Sequence, residues 1–342
     1  FLAIRVLIEA SAPSNSAPLL LVLDDIHWID QASRALLEYL LPLVDRLPLM
    51  LILLYRPERA DASWQIHEKI VREFAHCASH IALEKLAPQD SQTLLSNLVG
   101  AADWPAGVQD IILNRAEGNP LYVEEVIRVL VDSDVLVKSN GEQRVWRISA
   151  NLQTLQVPDT LQEVMMARLD RLDEPSHRTA QVASVVGRTV LFDVLAHLMQ
   201  GESRQLPTCL VHLQQHEIML ERQRLPELVY SFRHNMIQQV CYDSLSARIR
   251  RAHHCRIAEY LETERSAGRR EAESHYPLIA YHAFAGQDWP RALRYQILAG
   301  QQSQRAFANQ EAIDHFTQAL QSADYLPHEA TLAQRLVIHA AM

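Results

Sequence analysis

The sequence predicts a short parallel α/β segment followed by mostly helical domains. Three observations carry that prediction. Leu19–Asp30, LLLVLDDIHWID, runs five apolar residues straight into two aspartates, the pattern of a parallel-sheet strand buried on both faces. A second apolar run, Leu49–Tyr55, follows after one helical stretch, which is the strand–helix–strand order of a parallel pair. Beyond Leu83, apolar residues recur mainly at helical spacing.

Taken in order, Phe1–Ala10 has a helical pattern, and Ala12–Pro18 is a Pro/Ser/Asn-rich loop. Asp30 suits the N-cap of a helix over Gln31–Val44, with Leu36, Leu37, Tyr39, Leu40 and Leu43 facing a core. Pro48 opens the second strand, which ends in Arg56-Pro57-Glu58. Trp64–Ala75 is an amphipathic helix, and His80–Leu83 reads as a third short strand. Leu86-Ala87-Pro88 marks a boundary, after which Gln89–Leu98 and Val108–Glu117 are helices. Gly118 ends the latter and Pro120 suits the first turn of the next. Glu124 and Glu125 read as first-turn acids favoured by the helix dipole. Asn140-Gly141 between apolar runs predicts a hairpin over Val135–Ile148.

Helices follow over Val157–Asp173, Pro175–Val186 and Leu206–His216, then two short strands, Ile218–Glu221 and Leu228–Phe232. Several helices closed by a β-hairpin describe a winged helix. Ser246–Arg270 is arginine-rich but interspersed with Glu259, Glu262 and Glu264, the mark of a solvated helix face. In the tail, Ala292 and Ala299 recur as Ala312 and Ala319. That offset of 20 residues suggests imperfect tetratricopeptide-like helical hairpins, a surface for a protein partner. The expected domains are 1–86, 87–155, 156–245 and 246–342.

Composition narrows the functional classes. The chain has 342 residues, 48% hydrophobic and 21% charged, ordinary for a globular protein of several domains. A net charge of −9 argues against a dedicated nucleic-acid binder. No apolar run reaches the ~20 residues a membrane span needs, and FLAIRVLIEA lacks the basic start of a signal peptide. A cytoplasmic location is therefore expected. The four cysteines, Cys77, Cys209, Cys241 and Cys255, form no CxxC pair and read as reduced thiols. The first residue is Phe, so a piece of a longer protein is expected.

The chemistry gathers at a few positions. Two carboxylates after a parallel strand lie where open α/β sheets bind ligands. There Asp24 can hold Mg²⁺ of a nucleotide and Asp25 can polarise water, although a buried strand ending in a solvated Asp-Asp turn has the same pattern. Arg56 ends the neighbouring strand, where a cation can reach a γ-phosphate; it also reads as a surface arginine before a proline turn. Gly118-Asn119-Pro120 is at minimum a helix stop followed by a helix start. His234 lies where the wing meets the next helix and also reads as a capping histidine.

These segments together resemble one family. DDIHWID resembles the Walker B segment of STAND-class, AAA+-related signalling ATPases, the modules found behind adenylate or guanylate cyclase domains, Ser/Thr kinases and LuxR-type regulators. YRPE is similar to that family's sensor-1 position, GNPLYVEE to the GxP element of its lid, and FRHNMIQQV to its FRH-x-x-I-Q-x-V sequence. The resemblance implies an α/β remnant of a P-loop NTPase parallel sheet, then a helical lid, a winged helix and TPR-like helical repeats. It implies that Asp24 is the Mg²⁺ acid, Asp25 the catalytic acid and Arg56 the sensor. Pro120 would pack on the base of ATP or ADP, with Gly118 and Asn119 shaping the turn. His234 would contact the β-phosphate of ADP. Asn235 stands where the commonest version has aspartate.

A nucleotide cradle needs G-x-x-x-x-G-K-[ST] before the Walker B strand, yet the first glycine here is Gly100. Truncation after the P-loop is the expectation, with ATPase activity belonging to the full-length protein and this stretch inactive alone. Two functions follow: a nucleotide-dependent signal-transduction switch, or a non-enzymatic winged-helix/TPR scaffold or transcriptional regulator with a degenerate ATPase core.

Overall fold

In the computed structural model the described residues are all but 13–16, 60, 100–106, 134, 139–145, 149–157, 203, 226, 267–274 and 342. A helix, α1 (Leu2–Ser11), precedes β1 (Leu19–Leu23); then come α2 (Gln31–Leu40), β2 (Leu49–Leu53) and α3 (Ala62–Glu73). Next are α4 (Pro88–Val99), α5 (Val108–Ala116), α6 (Pro120–Asp132) and an antiparallel pair, β3 (Leu136–Lys138) with β4 (Trp146–Ile148). The chain continues through α7 (Leu161–Leu169), α8 (Glu174–Val186), β5 (Thr189–Leu191), α9 (Phe192–Leu198) and α10 (Leu206–Gln215). Strands β6 (Met219–Gln223) and β7 (Val229–Phe232) lead to α11 (Asn235–Ser244) and α12 (Ala247–Ser266). The last helices are α13 (Tyr276–Ala285), α14 (Trp289–Arg305), α15 (Asn309–Ala323) and α16 (His328–Ala341). The fold is an α/β segment with a short parallel sheet, followed by mostly helical structure.

The chain divides into two compact units. The first comprises Phe1–Ala82, Glu273–Ala280 and Trp289–Met342; the second comprises Leu83–Ala272 and Tyr281–Asp288.

In the first unit, β1 and β2 pair in parallel with Leu19 opposite Leu49 and Leu23 opposite Leu53. Ile8, Leu40, Leu43 and Leu49 form one buried cluster beneath the sheet, and Ile26, Leu37, Leu41, Ile66 and Phe74 form another. Asp30 caps α2 by accepting from the Ser33 N–H at 2.8 Å. The helix stops at Leu40, short of the expected Val44, because Pro42 removes a donor and Leu41–Asp45 tightens to 3₁₀ turns.

Two expectations for this sheet are corrected. The strand is not buried on both faces: Leu20 is 54% and Val22 49% exposed, since helix packing covers the face of Leu19, Leu21 and Leu23 alone. His80–Leu83 is not a strand either, with Ile81 80% and Leu83 90% exposed. A strand needs a ladder partner as well as a pattern, and the described sheet holds β1 and β2 alone.

In the tail, α14 packs on α15 and α15 on α16. All four alanines of the 20-residue offset (292, 299, 312, 319) are buried. Gly300 lets α15 come close, because a Cβ there would meet the Phe316 ring at 2.7 Å.

In the second unit, α6 is the central element of its first cluster, burying Tyr122, Val123, Val126, Ile127, Val129 and Leu130 against α4, α5 and α7. The hairpin β3–β4 forms as the flanking apolar runs predict, while its Asn140-Gly141 turn falls outside the described residues. Helices α8, α10 and α11 pack together beside an antiparallel sheet ordered β5-β7-β6. The first strand of that sheet, β5, is a three-residue piece too short to show a period in sequence.

Candidate functional site

Of the residues expected to meet a nucleotide, Asp24, Asp25 and Arg56 lie in the first unit; Gly118, Asn119, Pro120 and His234 lie in the second.

Parallel pairing brings the first three to one edge of the sheet. Beyond the strands, the Leu54 N–H donates to Leu23 O at 2.9 Å and the Ile26 N–H to Leu54 O at 3.0 Å. The chain therefore leaves β1 and β2 at the same end. Asp24 is exposed; its Oδ1 accepts the Asp25 N–H at 2.9 Å, leaving Oδ2 open. Asp25 takes a left-handed backbone with φ 56°, a conformation that aspartate tolerates better than most residues. Arg56 is exposed, and its side chain makes no hydrogen bond or ion pair with any described residue.

Sequence reasoning gave no role to His27. Its ring is largely buried, its Nδ1 lies 3.9 Å from Asp25 Oδ1, and neither nitrogen has a hydrogen-bond partner. The 3₁₀ turn Ile26–Trp28 sets this packing, and no sequence pattern announces it.

The GNP segment is built as a helix stop and start. Glu117 and Gly118 are both left-handed, with φ 46° and 76°. Gly118 O accepts the Leu86 N–H at 2.9 Å, and a Cβ on Gly118 would meet Leu86 O at 2.5 Å. Glycine is thus required twice over, by φ and by space. Asn119 caps α6, its side chain accepting from the Leu121 N–H at 3.1 Å, and Pro120 is the first helical residue, exposed.

Glu124 and Glu125 are corrected here: neither is a first-turn acid, because α6 begins at Pro120. Glu125 is wholly buried. One of its oxygens is paired with the buried Arg168 guanidinium of α7, which also donates to His216 O. Its other oxygen, Oε1, has no hydrogen-bond partner; it lies 3.8 Å from Arg128 Nε and 3.8 Å from His234 Nε2. A usable signal existed. Glu125 follows Tyr122 by three and precedes Val129 by four on the apolar stripe of α6, and Arg168 follows Val164 by four on that of α7. Opposite charges on two core stripes predict a buried pair.

His234 occupies the N-cap position of α11, but its side chain does not cap the helix. The half-buried ring is held below the ordinary histidine range by burial, opposed by Glu125 and reinforced by Arg233, Arg168 and Arg128. Glu217 gathers the two outer arginines, pairing with Arg128 and, at 3.3 Å, with Arg233.

Two further clusters involve metal-ligating side chains. In the first unit, exposed Asp45, His76 and Cys77 converge, with His76 Nε2 2.8 Å and Cys77 Sγ 3.6 Å from Asp45 Oδ1. Those mutual hydrogen bonds already account for the donors. In the second unit, buried His254 and His282 face each other with their Nδ1 atoms 2.8 Å apart, and Tyr242 Oη lies 3.1 Å from His254 Nε2. Burial lowers their pKa values to about 4 and about 3.

Comparison with known proteins adds the following. Residues 88–144 match the model of a domain of unknown function, DUF8739. An uncharacterized protein of Rhizobium meliloti (strain 1021) is 24% identical over 322 residues, covering 92% of this chain. The chain spans 29% of that relative's length. Among solved structures it is similar to a STAND (Signal Transduction ATPase with Numerous Domains) protein with a tetratricopeptide repeat sensor from Pyrococcus horikoshii, at TM-score 0.44 and 11% identity. That match covers 99% of this chain and 48% of the other. So loose a likeness in the path of the chain carries nothing about chemistry. No helix among the described residues is long and apolar enough to cross a membrane.

Proposed function

We propose that the chain is part of a STAND-type signal-transduction ATPase, in which the ATP or ADP state is coupled to a partner-binding helical-repeat region. The observation that carries this reading is the parallel pairing of β1 with β2, whose register brings Asp24, Asp25 and Arg56 to one edge of the sheet. An exposed carboxylate with one open oxygen suits a hard cation that keeps waters and phosphate oxygens as its other ligands, so Asp24 would hold Mg²⁺. Bound there, the metal supplies charge neutralisation at the phosphates. Asp25 would orient the attacking water, and the exposed Arg56 would meet charge developing on the γ-phosphate. In the second unit, the exposed Pro120 would contact the base and His234 the β-phosphate. The remaining assignments, a helical lid, a winged helix and TPR-like repeats, belong to the same proposal.

Phosphoryl transfer is almost entirely positioning and electrostatics, and most of the cradle is backbone N–H groups of a P-loop plus its lysine. Residues 1–342 alone are therefore expected to bind Mg-ATP very weakly and not to hydrolyse it. Joined to a natural upstream segment carrying G-x-x-x-x-G-K-[ST], the chain should bind, and Asp25→Asn should then lower turnover more than affinity. Calorimetry with Mg-ATP on both proteins is the test. Tight binding by residues 1–342 alone, or none by the longer protein, would sink the reading, the second outcome in favour of a non-enzymatic scaffold.

A further inference from the structure

We propose that Glu125 is the positioning residue of His234: its open carboxylate oxygen takes the ring Nε2–H and so decides which nitrogen carries the proton. The inference deepens the reading of His234 as a phosphate-facing residue and rests on it for its consequence, though not for its test.

Glu125 is fully buried, and Oε1 has no hydrogen bond. A buried acceptor left unmade costs about 1–3 kcal/mol, so a donor within reach is worth identifying. Two groups face it, each at 3.8 Å. Arg128 is anchored to Glu217 through Nη1, which holds its Nε where it stands. His234 is not, since its ring makes no hydrogen bond with any described residue. Closing 3.8 Å to a hydrogen bond of about 2.8 Å needs a movement of roughly 1 Å, within the reach of a half-exposed side chain at a helix start.

The charged groups around the ring set the balance. Glu125 and Arg128 face it from α6, Arg168 from α7, and Arg233 from the turn before α11, with Glu217 behind the two outer arginines. Burial and three guanidinium groups favour the neutral ring; Glu125 alone opposes them. With Nε2–H held by Glu125, a neutral ring offers a bare Nδ1, which repels a phosphate oxygen. To donate from Nδ1 the ring must take a proton from solvent and become imidazolium, with Glu125 as its counter-charge. Anion binding at His234 is thereby coupled to uptake of one proton.

The test is nitrogen NMR on the full chain with ¹⁵N-labelled histidine, the His234 signals being assigned by their loss in His234→Asn. At pH above 7.5 the wild-type ring is expected as the Nε2–H tautomer. Glu125→Gln keeps an oxygen for Arg168 but aims an amide NH₂ at Nε2, so the tautomer should reverse to Nδ1–H. Proton affinity should fall by roughly tenfold or more, as loss of a unit charge at this distance implies. A wild-type Nδ1–H ring overturns the proposal even where Glu125→Gln fails to fold. So does a folded Glu125→Gln protein with unchanged tautomer and titration. Neither measurement uses a nucleotide, so failure here is distinct from failure of the ATPase reading.

Discussion

The two loci assigned to the nucleotide are built in opposite ways. In the first unit, Asp24 and Arg56 stand exposed after the ends of β1 and β2, and Arg56 pairs with no described residue. In the second, Glu125 and Arg168 are desolvated between α6 and α7, and His234 is half-buried beside them. Exposed charges cost the fold almost nothing to keep and little to lose. A buried pair contributes little relative to an apolar one, yet losing one member strands the other in a low dielectric. On the proposed reading, Asp24 can serve a ligand without cost to the packing. The network of α6 and α7 must first hold two helices together, and any ligand it meets is felt by the packing.

The sharpest way to break this contrast is Glu125→Ala, which leaves Arg168 charged and unpaired and should cost about 3–5 kcal/mol in urea unfolding. Glu125→Leu combined with Arg168→Met should recover most of that loss. A single-mutant cost under about 1 kcal/mol would make the buried pair no different from the exposed edge.

Acid should separate the regions next. His254 and His282 titrate at about 4 and about 3 in the folded state, below the ~6.5 of an unfolded chain. Between those values the unfolded state binds more protons, so stability is full above pH ~6.5 and falls as the pH drops towards 4, by a few kcal/mol. Urea unfolding at pH 7.5, 6 and 5 should show that slope, and replacing both histidines by glutamine should flatten it. An equally steep slope in the double variant would move the acid sensitivity elsewhere.

The smallest effects compare a cap with the strand edge. Asn119→Ala removes the acceptor for the Leu121 N–H and should cost ~1 kcal/mol. Asp24→Asn, exposed and outside any core, should stay within ~0.5 kcal/mol. If Asp24→Asn proved the costlier of the two by thermal unfolding, Asp24 would be a structural residue.

The strand end and the helix punctuation were legible because they are local. Asp30 and Asn119 cap the helices that follow them, and Pro120 opens α6. The apolar run of β1 needed only a neighbouring run to pair with. The misreadings were of partners. HIAL has a strand's composition, but a ladder is a property of two segments, and 80–83 finds no second one among the described residues. Glu125 lies near enough to Pro120 to suggest a first-turn acid, but its place on the apolar stripe of α6 sets its partner.

Local chain chemistry was enough to announce most of the helices and the two parallel strands, though not their exact ends, together with the charged residues at the strand ends and the helix stop at Gly118. Each follows from backbone donors, φ preferences and side-chain periodicity within a few residues. Packing between elements set the rest: one face of β1 lies open, His27 is buried beside Asp25, and Glu125 faces Arg168 and His234. Arg168 reaches Glu125 from 43 residues away, and desolvation, which gives such contacts their weight, exists only once the packing does.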